Sequence, residues 1–136
     1  AAGFDGLDMA RFPRALQAPL WWLGIALMLA GVPLRWWSVR VLARHFTVDV
    51  TIRPDHELVR RGPYRLLRHP SYTGLLMTFL GFALGLGNWL SLAAMLPVVL
   101  AFLWRIQVEE RVLAAAFGDR YAAYARETRR LIPFVW

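Results

Sequence analysis

Residues 72–104 read "YTGLLMTFLGFALGLGNWLSLAAMLPVVLAFLW", two apolar runs joined by "GLGN" without one charged residue. Each run is short against the ~20 helical residues that a bilayer core asks for. Composition settles what kind of hairpin this is. Hydrophobic residues make up 58% of the 136-residue chain and mean hydropathy is +0.41, above the usual range of soluble domains. The stretch therefore reads as a membrane-embedded helical hairpin, the second and third spans of the chain. Gly74, Gly81, Gly85, Ala93 and Ala94 predict that its two helices approach each other closely.

Upstream, residues 19–37, "PLWWLGIALMLAGVPLRWW", form another apolar run with tryptophans at both edges, as an interfacial aromatic belt requires. The expected fold is thus an all-α integral membrane protein of about three transmembrane helices, the last two a tight hairpin, followed by a cytoplasmic C-terminal amphipathic helix. One domain covers 1–136. It divides into an N-terminal segment 1–18, span 19–37, a loop 39–71, the hairpin 72–104 and a C-terminal segment 105–136.

All sixteen basic residues are arginine, and the net charge is +7. Such a charge can signal nucleic-acid binding, but these arginines sit between and beside apolar spans, where anionic headgroups are the natural counter-charge. Eight run from Arg35, near the end of the first span, to Arg68 before the second, and six follow the third, while the hairpin tip carries none. The positive-inside rule then puts 39–71 and 105–136 together on the cytoplasmic face, in the inner membrane if the cell is bacterial. There are no cysteines, and the three histidines lack metal-ligand spacing, so neither disulfides nor a metal site is expected. The opening residues do not read as a signal peptide.

Segment 39–71 begins as a continuation of the first helix. "FTVDVTI" at 46–52 alternates as a short extended stretch would, and Pro54 and Gly62-Pro63 mark turns. Tyr64–Arg68 is expected to make one or two helical turns, with Arg65 and Arg68 on one face. Pro70 suits the first position of the next helix. His69 then lies at that helix's entrance, where free N–H groups favour an anion, and Tyr72 sits one turn inside.

Segment 105–136 starts as a helix leaving the third span, with Val108, Val112, Leu113, Phe117, Tyr121 and Tyr124 on its apolar stripe. Gly118-Asp119 should stop one helix and cap the next. Glu109 and Glu110 lie one turn past the membrane exit, where an unpaired carboxylate is costly. They pair with Arg105, Arg111 or Arg65, or they hold a cationic or ribose-bearing ligand. "LIPFVW" ends the chain as an apolar tail suited to the membrane interface.

The ordered set Gly62-Pro63-Tyr64, Arg68-His69-Pro70-x-Tyr72-x-Gly74, Glu109-Glu110, Phe117-Gly118 and Tyr121-x-x-Tyr124 resembles the isoprenylcysteine carboxyl methyltransferase family. It is also similar to the wider group that includes phospholipid N-methyltransferases. The likeness covers roughly residues 35–134. It implies an S-adenosylmethionine-dependent methyltransferase acting on a lipid-like or isoprenoid acceptor among membrane lipids. It further implies a cofactor pocket of Arg68, His69, Tyr72, Glu109 and Glu110. Arginines before the final Ile-Pro meet the acceptor in carboxyl-methylating members, which here means Arg126 and Arg130, with Arg129 between them. "RETRRLIP" departs from the family at Glu127 and Thr128, leaving the choice among these arginines open.

Three alternatives stand beside a carboxylate acceptor. An amine acceptor would make His69 or a glutamate the base. Membrane sterol reductases share a similar arginine-histidine stretch, but they typically carry Asn where this chain has Ser71, and Asp-Glu where it has Glu109-Glu110. The third is a non-enzymatic protein that binds anionic lipid.

Overall fold

The computed structural model describes residues 10–43 and 58–136; the extended stretch at 46–52 and the Pro54 turn lie outside them. The described residues form four α-helices and one 3-10 turn: α1 Arg14–Ala43, the 3-10 turn Gly62–Arg65, α2 Pro70–Gly85, α3 Trp89–Phe117 and α4 Asp119–Glu127. Two helices, α1 and α3, are long and apolar enough to cross a membrane. Each outruns the apolar segment that the sequence marks. α1 runs through Pro19 and Pro33, and α3 runs through Pro97 and on past the glutamate pair. Their apolar side chains point outward: Trp22, Leu29, Leu96 and Trp104 are all more than half exposed, the reverse of a water-soluble core.

Glycine decides which helices touch. Gly24 and Gly31, seven residues apart on α1, meet Gly81 and Gly74 of α2 in antiparallel order. A Cβ on Gly24 would lie 2.6 Å from the Gly81 carbonyl oxygen, and one on Gly31 would lie 2.6 Å from that of Gly74. No side chain fits there, so backbone packs on backbone. Beside this seam Thr78 donates to the Gly74 carbonyl at 2.8 Å, and the buried Ser38 donates to that of Leu34 at 2.7 Å. Both hydroxyls thereby find acceptors within their own helix.

This corrects one expectation. Gly74 and Gly81 bind α2 to α1, not to α3. Gly85 faces open space, and Ala93 and Ala94 are exposed. The α2–α3 connection is nonetheless a tight turn. Gly87 takes φ +72, and the Asn88 side chain caps α3 by accepting from the Ser91 N–H at 2.8 Å. Ser91 in turn donates to the Ala83 carbonyl at 2.7 Å. The residues before α1 are tied to the same turn: Phe12 N–H donates to Gly87 and Trp89 N–H to Ala10, with the Phe12 and Trp89 rings edge to face.

Two local expectations also change. Tyr64–Arg68 is not one helix. The 3-10 turn ends at Arg65, and Leu67 pairs with Arg129 in a parallel bridge. This leaves Arg65 exposed and turns Arg68 inward, so the two do not share a face. Asp119 does not cap α4; Gly118, with φ +54, is the N-cap and Asp119 is the first helical residue.

The glycine seam gives a direct test. Gly31→Ala should lower the thermal midpoint of the detergent-solubilised protein, at a cost of about 1–3 kcal/mol for a methyl forced into a closed contact. Gly85→Ala should leave the midpoint unchanged or slightly raised. Equal effects would contradict the assignment of the seam.

Candidate active site

At the end of the molecule away from the α2–α3 turn, the chain's polar residues converge. The organising element is the bridge between residues 66–69 and 129–130. Arg68 N–H donates to the Arg129 carbonyl at 2.7 Å, His69 N–H to that of Arg130 at 3.1 Å, and Arg129 N–H to that of Leu66 at 3.0 Å. Thr73, in the first turn of α2, adds a bond to the Leu131 carbonyl at 2.7 Å. Pro70 starts α2 as its sequence position requires, and His69 is the residue before it.

Against this paired backbone lies the carboxylate pair of α3. Arg68 Nε donates to Glu110 Oε1 at 2.8 Å, and Arg130 Nε donates to Oε2 at 3.0 Å. His69 Nε2 stands 3.3 Å from Oε1. Glu109 receives Tyr72 Oη and, at 3.1 Å, Arg105 Nε; His69 Nδ1 lies 3.8 Å from its other oxygen. The buried imidazole of His69 thus stands between the two carboxylates and stacks on the Tyr72 ring with centroids 5.8 Å apart.

The two glutamates differ in setting. The Glu110 side chain is 13% exposed and that of Glu109 is 38%. Burial alone would raise the Glu110 pKa, but His69, Arg68 and Arg130 outweigh it and hold the carboxyl near 2, against an ordinary 4.5. Arg68 is held on two sides: besides Glu110, its Nη1 donates to the carbonyls of Ala125 and Thr128, each at 2.8 Å. Tyr124 closes the back of the site. Its buried hydroxyl donates to the Tyr64 carbonyl at 2.8 Å, with that of Leu67 3.3 Å away, and burial pushes its pKa up.

Of the residues expected from the sequence, Arg68, His69, Tyr72, Glu109, Glu110 and Arg130 come together. Arg126 does not. It is exposed and lines a separate cleft with Leu66, Glu127, Arg129, Pro133 and Phe134. Among the three arginines considered as glutamate partners, Arg105 pairs with Glu109, as spacing of four on a helix allows. Arg65 and Arg111 are exposed, and neither pairs with the glutamates. Sequence reasoning missed Thr128 and the Ala125 carbonyl. Thr128 is 2% exposed and donates to the Tyr124 carbonyl; its position as a break after α4 was the only signal.

A model of the phospholipid methyltransferase family matches residues 20–120. The chain belongs to this family. Protein-S-isoprenylcysteine O-methyltransferases B and A of Arabidopsis thaliana are each 36% identical to it over 134 residues, covering 94% of this chain and 67% of theirs. The probable enzyme of the same name from Oryza sativa subsp. indica is 33% identical over 117 residues, covering 84% of this chain and 61% of its own. Among solved structures, the eukaryotic intramembrane Ras methyltransferase (isoprenylcysteine carboxyl methyltransferase) matches with a TM-score of 0.72 and 31% identity, over 85% of this chain and 43% of that one. The chain thus spans about two thirds of its plant relatives and under half of the solved protein. This phospholipid methyltransferase family member is a methyltransferase built on membrane-embedded helices, as its motifs suggested. The reductase and non-enzymatic readings give way.

The depressed Glu110 pKa carries a pH signature. A carboxyl that titrates near 2 when folded and near 4.5 when unfolded contributes stability that is complete above about pH 4.5 and lost as pH falls toward 2. The thermal midpoint should fall as pH drops from about 4.5 toward 2, and the fall should be shallower in Glu110→Gln. Parallel curves for the two proteins would contradict this.

Proposed function

We propose that this chain is an S-adenosylmethionine-dependent methyltransferase that esterifies a carboxylate on a membrane-borne, isoprenylcysteine-like acceptor. One observation carries the reading: His69, Tyr72 and Arg130 gather around Glu109 and Glu110 of α3 just past Trp104, where its apolar run ends. A soluble donor can meet a lipid acceptor at that level.

The residues present fit the donor. Glu109 and Glu110 offer acceptors to an ammonium and to ribose hydroxyls. The stacked His69 and Tyr72 rings offer a flat face, and Arg130 offers a guanidinium for a carboxylate. Arg68 acts differently: its contacts orient Glu110 instead of reaching a ligand. Bound here, S-adenosylmethionine supplies an electrophilic methyl group on a cationic sulfur.

A carboxylate acceptor is ionised near neutral pH and needs no base. Catalysis then rests on placing the two reactants in line. Arg126, in its cleft against the apolar Leu66 and Phe134, suits an acceptor that joins a carboxylate to a greasy tail. A second reading has its own support. Glu109, part-exposed and bonded to Tyr72, could take the proton of an amine acceptor, and the family model's description includes phospholipids.

α1, α2 and α3 all cross the membrane in this account. α2 has 16 residues, about 24 Å of helix, and its Pro70 end begins in the headgroup layer. The arginine-rich ends face the cytoplasm, of a bacterial inner membrane if the cell is bacterial, with α4 lying there.

Calorimetric titration of the detergent-solubilised protein tests the donor. S-adenosylhomocysteine should bind at micromolar concentration, and Glu110→Ala and His69→Ala variants that still fold should lose it. Binding of NADPH in its place would overturn the proposal.

A further inference from the structure

The site contains one buried group that the scheme above leaves idle. Tyr121, on α4, is 6% exposed, yet its hydroxyl is fully buried and has no hydrogen-bond partner among the described residues. Every other polar side chain placed around Glu110 is bonded. A buried phenol normally finds a partner, because leaving one unsatisfied forfeits its hydration for nothing. An orphan at this spot points to a ligand.

Its surroundings define what that ligand offers. Tyr121 sits one turn before Ala125, whose carbonyl receives Arg68, and the charged groups that act on the phenol are Glu110, Arg68 and Arg130. Burial, with Glu110 beside it, raises its pKa to about 12, so at neutral pH the hydroxyl is intact and able to donate. Glu110 is close but not in bonding geometry, and both of its oxygens already receive cationic donors. A second donor is also free here. Arg130 uses Nε on Glu110 and lays its guanidinium over the Trp136 ring, 4.9 Å from the centroid. Its Nη groups make no hydrogen bond among the described residues. A neutral O–H and an unused guanidinium edge around one glutamate suit an anion whose own cationic neighbour faces that glutamate.

We propose that Tyr121 Oη and Arg130 together bind the α-carboxylate of the methyl donor, with Glu110 beside them taking its α-ammonium. The inference rests on the donor reading above and refines it, adding Tyr121 to Arg130 as the second donor to the carboxylate.

Tyr121→Phe removes the hydroxyl and keeps the ring that packs edge-on against Tyr124. Two quantities are measured on the detergent-solubilised protein: the thermal midpoint without ligand, and the calorimetric affinity for S-adenosylhomocysteine and for its decarboxylated analogue. The hydroxyl has no partner to lose, so the midpoint should stay unchanged or rise. Affinity for S-adenosylhomocysteine should fall about tenfold, as for loss of a hydrogen bond to a charged group. Affinity for the decarboxylated analogue should be the same in both proteins.

A lowered midpoint would show the hydroxyl already bonded in the free protein and overturn the inference. So would unchanged affinity for S-adenosylhomocysteine, or an equal loss for both ligands. If the wild-type protein binds neither ligand, the donor reading itself fails and this inference fails with it.

Discussion

One buried carboxylate ties the polar end of this molecule together. Glu110 projects from α3 and takes Arg68 from the segment before α2 and Arg130 from the segment after α4, with His69 beside it. Three stretches of chain, up to 62 positions apart in sequence, are fixed relative to one another through two oxygens. Removing one partner from such a cluster leaves an uncompensated charge, at a cost of about 3–5 kcal/mol. The same contacts leave Glu109 and Tyr72 at the edge, part-exposed, where a ligand can reach them. Anchoring thus falls to Glu110, which also faces the ligand, and the open edge to Glu109 and Tyr72.

That division depends on the glycine seam that runs along α2. The Gly24–Gly81 and Gly31–Gly74 contacts fix how far α2 slides along α1. The height of Pro70, His69 and Tyr72 relative to the membrane follows from that register. The turn at Gly87 then sets where α3 begins, and so the depth at which its apolar run gives way to Arg105 and the glutamates. Packing in the apolar half therefore positions the chemistry in the polar half.

The sequence disclosed the parts of this arrangement that depend on local rules. Pro70 could only start a helix, which put His69 at its entrance. Unbroken apolar runs marked the spans, and Glu109-Glu110 stood out because carboxylates are expensive near lipid. It did not disclose neighbours. Periodicity shows which face of α2 carries glycine, but not whether α1 or α3 lies against it. Arg68 and Arg65 seemed equivalent because the parallel bridge from Leu67 to Arg129 joins residues 62 positions apart, and nothing local predicts that pairing. For the same reason Arg126 and Arg130 were alike in sequence. α4 ends at Glu127, and the segment after it carries Arg130, but not Arg126, to Glu110.

Methyl transfer is the central claim, and the chemical fate of the methyl group tests it most directly. Proteoliposomes of the protein would be incubated with methyl-tritiated S-adenosylmethionine and a prenylated cysteine acid, and the lipid extract treated with base. The account predicts labelled product that releases volatile tritiated methanol, as a carboxyl methyl ester must. Absence of transfer to this acceptor, or label that resists base, would contradict it.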